Sequence, residues 1–172
     1  MKAILVAIAL TCLIPPAVAD QIVAGTPEDK SLQRITTETN PENKLQAILE
    51  FERQFPQSKA LPDVYLMAVE IYRQKGERTK VLEYGERTLK IDQGNVNATM
   101  VLARNYAIEG KSVDRALALA QQAVDRIVKL KGEAVPPSYS ESQWKDYLQS
   151  TETAARSILN YAKSVKAQKS PR

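Results

Sequence analysis

The chain has 172 residues, 24 of them basic and 20 acidic, so its formal net charge is +4. It contains no histidine, which excludes every mechanism that needs an imidazole base or ligand. Since 44% of the residues are apolar and 26% are charged, the chain can build a hydrophobic core and is not globally disordered. Its length suits one domain or a short array of repeats.

The first 19 residues have the layout of a secretory signal peptide. Lys2 supplies a positive start, residues 3–14 form an apolar stretch of twelve, and small residues precede a cleavage site after Ala19. The alternative is an uncleaved membrane anchor, but twelve residues fall short of the roughly 20 needed to cross a bilayer. The pattern predicts a cleaved leader of bacterial type and a periplasmic or secreted protein.

The single cysteine, Cys12, lies inside this leader. Acylation of Cys12, as in a lipoprotein, is an alternative, but Thr11 stands where a smaller residue is expected. Cleavage after Ala19 would leave a chain without a disulfide, a thiol nucleophile or a thiolate metal site. The sequence also has no glycine-rich phosphate loop and no Gly-x-Ser-x-Gly motif. It therefore predicts no enzyme, no cofactor and no metal site.

Helix-starting and helix-ending residues divide the remaining chain. Residues 20–40 are polar and weakly periodic, which predicts a flexible N-terminal segment. Asn40 and Pro41 then begin a helix, because asparagine is a good N-cap and proline suits the first helical position. Gly76 and Gly110 each end a later helix.

The C-terminal part shows the strongest helical pattern. Residues 112–131 carry a continuous apolar stripe at three- and four-residue steps. A linker is expected at 132–139, followed by a helix at 140–165 and a basic tail at 166–172. Since no segment alternates with a period of two, the predicted fold class is all-α.

A spacing of 34 residues recurs along the helices. Tyr72 and Tyr106 are 34 residues apart, and so are Gly76 and Gly110. With its two helices and glycine turn, this unit resembles the tetratricopeptide repeat (TPR). The residues that carry the resemblance in the first unit are Tyr65, Ala68, Tyr72, Gly76, Val81, Thr88 and Leu89. Those in the second are Leu102, Ala103, Tyr106, Gly110, Ala116, Ala120 and Ala123.

The resemblance implies an antiparallel helix-pair solenoid, a right-handed superhelix in which residues 41–131 share one continuous core. The helix at 140–165 would cap this stack, with Trp144 and Tyr147 against the exposed edge of the helix at 112–131. The alternative is that Trp144 binds a partner. Gly85 departs from the family pattern, because a bulky residue is usual there, and it predicts a loosely packed first unit.

The resemblance also implies a binding groove lined by the first helix of each unit. Two interpretations stay open: Glu70 pairs with Arg104 one repeat away, or Arg73 and Arg104 anchor an acidic group of a partner. The Lys/Asn arrangement of the family's carboxylate clamp is missing, which favours a peptide or helix bound in a mixed groove. The projected groove positions are Leu66, Glu70, Arg73, Gln74, Asn97, Met100, Val101, Arg104, Ala107 and Ile108.

These patterns predict a non-catalytic protein-interaction module or scaffold of the bacterial envelope, whose partner is a protein or peptide. The alternative is a structural subunit that packs into a larger envelope assembly through a helix face. Residues 163–172 carry four cations, whereas residues 20–162 hold 19 basic and 20 acidic groups. The near-neutral body argues against a nucleic-acid partner, and only the tail offers a contact for a membrane surface.

Overall fold

The protein is described over residues 22–169 by a computed structural model. This range contains helices and no strand, which confirms the all-α class. The predicted leader and residues 170–172 lie outside the described residues. The seven helices are α1 (Pro27–Thr37), α2 (Pro41–Gln54), α3 (Leu61–Gln74), α4 (Arg78–Ile91), α5 (Val96–Glu109), α6 (Val113–Leu130) and α7 (Glu141–Lys169).

Side-chain caps fix the start of several helices. The Asn40 carboxamide accepts hydrogen bonds from two backbone N–H groups at the start of α2, at 3.0 Å each. Asn95 caps α5 by accepting one hydrogen bond, from the backbone N–H of Ala98 at 3.0 Å. At the start of α7, Ser140 accepts from the backbone N–H of Gln143 at 3.2 Å, and the Gln143 side chain accepts from the backbone N–H of Ser140 at 2.9 Å. Each cap satisfies donors that the first helical turn cannot satisfy itself.

Two glycines end helices through a left-handed backbone. Gly76 follows α3 with φ +74°, and Gly110 ends α5 with φ +68°. Residues with a Cβ are strained in this region, so glycine is the favoured residue at both ends. Gly76 and Gly110, which are 34 residues apart, therefore share the same left-handed backbone conformation.

Helix α1 lies within the segment 20–40 that the sequence predicts to be flexible, and the structure corrects this prediction. Thr26 caps α1 by accepting from the Asp29 backbone at 3.2 Å, and Pro27 occupies its first turn. Ile35 is fully buried in the core, which also holds residues of α2. Burial of one side chain against a neighbouring helix stabilises a helix whose own sequence is mostly polar.

The core is built from helices that are neighbours in sequence. α3 packs against α4, α5 against α6 and α6 against α7. Fewer contacts join α1 to α2, α2 to α3, α4 to α5, and α5 to α7. One large cluster of buried side chains joins α1 to α4 and includes Val101 of α5. A second joins α5, α6 and α7. Between residues 22 and 169, no helix combines the length and apolar character needed to cross a bilayer.

Gly85 marks a close approach of α4 and α5. A Cβ at this position would lie 2.9 Å from Cδ2 of Leu102, which is itself fully buried. The leucine therefore fills the space that the missing side chain leaves. The expectation of loose packing at Gly85 is wrong, because the neighbouring helix supplies the volume.

Helix α7 is longer than predicted and continues to Lys169. Trp144 is 9% exposed and belongs to the cluster shared with α5 and α6. Its indole stacks on the ring of Tyr147 with centroids 5.3 Å apart. Lys166 forms an ion pair with Asp114 at 2.8 Å, so part of the expected tail belongs to the helix.

Candidate protein-binding groove

Four of the ten projected groove residues are core residues. Leu66, Met100, Val101 and Ala107 are 2%, 1%, 6% and 1% exposed. Met100 lies in the cluster formed with α6 and α7, and Val101 lies in the cluster formed with the earlier helices. These four therefore offer no surface to a partner, because neighbouring helices cover the faces of α3 and α5 on which they lie.

On α3, the remaining groove residues are tied to one another. The Glu70 carboxylate accepts two hydrogen bonds from Arg73, at 2.8 and 2.6 Å, and one from Gln74 at 2.8 Å. Partial burial raises the pKa of Glu70, but the hydrogen bonds and the charge of Arg73 outweigh it, so the net pKa is lowered. Glu70 thus pairs within its own helix, which contradicts the first of the two interpretations, its pairing with Arg104.

On α5, three groove residues remain at the surface. Asn97 and Arg104 are half-buried, and Ile108 is 40% exposed. Their spacings of seven and four residues place them on one face of the helix. Arg104 makes no hydrogen bond or ion pair with any residue between 22 and 169, in contrast to Arg73. It is therefore the groove cation with the greatest capacity to bind a carboxylate.

Helix α7 extends this surface, which the sequence did not predict. Ala107 of α5 and Ala162 of α7 lie in one small buried cluster, and the Lys169 ammonium donates to the Gly110 carbonyl. The two helices therefore run side by side in the same direction. Tyr161, adjacent in sequence to Ala162, is 45% exposed. The apolar periodicity of residues 140–165 is the sequence signal for this contact.

A half-buried ionic cluster joins α2, α3 and α4. Arg87 forms an ion pair with Glu52 and donates to the Tyr65 hydroxyl at 2.8 Å. Its guanidinium also lies over the rings of Tyr65 and Tyr84, 4.3 and 4.9 Å from their centroids. Partial burial lowers the pKa of Arg87. We call these residues the first junction.

A related cluster, the second junction, follows at the next pair of helices. Glu86 accepts from the Tyr106 hydroxyl at 2.7 Å and pairs with Arg115 at 2.5 Å. The Arg115 guanidinium lies 5.2 Å from the Tyr106 ring centroid. Glu52 and Glu86 are 34 residues apart. In both junctions a glutamate at the same repeat position thus pairs with an arginine of a following helix, and that arginine lies over a tyrosine ring.

Two other features lie away from the groove. Asp63, in the first turn of α3, is mostly removed from solvent; burial, followed by the charge of Asp92, raises its pKa to about 6. A shallow cleft of about 480 Å³ lies between the start of α5 and the outer face of α6. None of the ten projected residues lines it.

Comparison with known proteins returns no relative. No family model, no curated protein and no solved structure matches the chain.

Proposed function

We propose that this protein is a non-catalytic, TPR-like interaction module of the bacterial envelope. It binds a peptide or helix of another protein across the exposed face of α5 and the flank of α7. The observation that carries the proposal is Arg104, which is half-buried and has no partner among the described residues. Ile108 is exposed on the same face of α5, and Tyr161 is exposed on α7, which packs against α5. Such a surface suits a ligand that combines an acidic group with apolar side chains.

The repeat interpretation draws its support from equivalent positions 34 residues apart. Gly76 and Gly110 share a left-handed conformation, and Glu52 and Glu86 share a role in the two junctions. Helices stacked in this way present successive faces to solvent along one surface. A surface of this kind binds extended or helical segments, in which several side chains contribute in turn.

Site-specific photocrosslinking in the native envelope tests the proposal. A photoreactive residue at position 108 should yield one defined adduct, whose partner is identified by mass spectrometry and then purified. The same residue at position 128 of α6, where Val128 is 50% exposed, provides the matched control. Arg104→Ala should weaken binding of the purified partner about tenfold, whereas Lys129→Ala should leave it unchanged. Equal adducts at both positions, or no effect of Arg104→Ala, would contradict groove binding.

The second candidate is a structural subunit packed through a helix face. The exposed Tyr161 and Val128 on the last two helices favour it. In that case, crosslinks from position 128 or 161 should persist when Arg104 is replaced, because the contact does not depend on the groove cation.

A further inference from the structure

The end of α7, residues 163–169, differs from the rest of the helix in burial. The buried side chains of α7 end at Ala162, which lies in a small cluster with Ala107 and Ala116. Beyond Ala162, Val165 is half-buried and every other residue up to position 169 is exposed. This segment therefore buries little apolar surface, and the hydrophobic effect contributes little to holding it against the rest of the protein.

Charged side chains attach this segment to the connection between α5 and α6. The Lys166 ammonium pairs with Asp114, in the first turn of α6, at 2.8 Å. The Lys169 ammonium donates to the backbone carbonyl of Gly110, the residue that ends α5. Because these contacts reach across to the α5–α6 connection, we call residues 163–169 the strap.

Gly110 leaves room for the contact with Lys169. A Cβ at position 110 would lie 2.9 Å from Nζ of Lys169 and 3.2 Å from its Cε. The same residue ends α5 with a φ of +68°, which favours glycine on its own account. The carbonyl that accepts the hydrogen bond stands at the C-terminal end of α5, where the helix dipole favours a cation. The end of α5 is therefore shaped to receive this ammonium.

Ionic strength governs contacts of this kind. The side chains of Lys166 and Asp114 are 56% and 85% exposed, so solvent and dissolved ions reach the pair. Lys169 is exposed as well. Salt screens the attraction between exposed charges. The apolar contacts that hold α7 as far as Ala162 do not depend on charge, so sodium chloride should not weaken them in this way.

We propose that the strap is an electrostatic closure that opens as a unit while the preceding part of α7 stays packed. At low ionic strength, the two lysine contacts hold it against the α5–α6 connection. At high ionic strength, both contacts weaken and the strap leaves the connection. Ile108 lies two residues before Gly110, so the strap borders the proposed binding surface. Its opening does not depend on what binds to that surface.

Hydrogen exchange of the full chain, followed by mass spectrometry, tests the opening. Backbone amides of the strap are compared with those of residues 148–162 at about 0.1 M and 1 M sodium chloride, where the Debye length is about 10 and 3 Å. Relative to residues 148–162, the protection of the strap should fall about threefold at the higher concentration. An equal change in the two segments, or a strap that is unprotected at both concentrations, would overturn the proposal.

Single replacements separate the two strap contacts from the charge of the tail. Lys166→Gln and Lys169→Gln should each lower the protection of the strap about threefold at low salt, and the combined variant should no longer respond to salt. Lys163→Gln is the matched control. Lys163 belongs to the same segment but makes no hydrogen bond or ion pair with any residue between 22 and 169, so its replacement should leave the protection unchanged. An equal loss in Lys163→Gln would show that the dipole of α7, and not the contacts, sets the protection, which would refute the proposal.

An exchange of charges tests the pairing across the strap. Asp114→Lys and Lys166→Glu should each lower the protection of the strap about threefold, because each places like charges together. The double variant should recover protection to within about twofold of the original chain. Circular dichroism checks that each variant is folded. A double variant that is less protected than both single variants would contradict the proposal.

Discussion

Replacing Arg87 by methionine should destabilise the fold more than replacing any exposed arginine. The substitution removes the charge but keeps much of the apolar stem. It would break the ion pair with Glu52, the hydrogen bond to Tyr65 and the stacking over two rings. Because these contacts join three helices, their loss should lower the stability of the whole N-terminal half.

The magnitude follows from the burial of the pair. The Arg87 and Glu52 side chains are 29% and 28% exposed, so solvent screens their attraction only in part. A half-buried ion pair and a charged hydrogen bond contribute about 1–2 kcal/mol each, and the stacking adds about 1 kcal/mol. Since one guanidinium makes all three contacts, we expect a total loss of about 3 kcal/mol rather than the full sum. For a domain of this size, that corresponds to a fall in Tm of about 6–12 °C.

A double-mutant cycle measures the coupling directly. Chemical denaturation of Arg87→Met, Glu52→Gln and the double variant should give a coupling energy of about 1–2 kcal/mol. The exposed pair Arg34–Glu50, at 3.1 Å with side chains 65% and 43% exposed, is the internal control and should give less than about 0.5 kcal/mol. Equal coupling in the two pairs would refute the argument that burial strengthens the first junction.

Three further predictions follow from individual residues. Because the folded pKa of Asp63 is raised to about 6, stability should fall as pH rises from 4 to 6. Asp63→Asn should abolish this dependence of stability on pH. After allowance for partial exposure, it should also stabilise the protein at pH 7 by about 1–2 kcal/mol. The exposed control Asp146→Asn should have neither effect. Gly85→Ala should lower stability by about 1 kcal/mol in urea denaturation, since displacing Leu102 outweighs the gain in helix propensity. Gly76→Ala should cost about 1 kcal/mol through backbone strain alone, because no atom would lie within 4 Å of its Cβ; an unchanged Tm would contradict this.

Local signals in the sequence account for most of the helix boundaries. Asn40, Asn95 and Gly110 act within one helical turn, and the structure places helix ends where these residues predict them. Thr26 and Pro27 are local start signals for helix α1, but its sequence is mostly polar, and its stability comes from burying Ile35 against a neighbouring helix, which the local pattern does not record. Gly85 was misjudged for a related reason: the side chain that fills its space comes from α5.

The groove was predicted less well than the helices. The groove positions that the family pattern assigns to α5 lie on one broad face of that helix. Helix α7 and the helices before α5 pack against part of this face and cover it. Met100 and Ala107 lie in the buried clusters that α5 shares with α7, whereas Arg104 and Ile108 remain accessible to solvent. The difference depends on how closely α7 approaches α5, a tertiary distance on which the sequence of α5 alone carries no information.

The positive tail has a structural role that its charge alone did not indicate. Lys169 donates to the Gly110 carbonyl at the end of α5, where the helix dipole favours a cation. Lys166 pairs with Asp114 at the start of α6. Both contacts are exposed, so each is weak, yet together they attach the last turn of α7 to the α5–α6 connection. An anionic surface that bound these lysines would have to displace contacts that hold α7 in place, so such binding should loosen the helix whose flank belongs to the proposed binding surface.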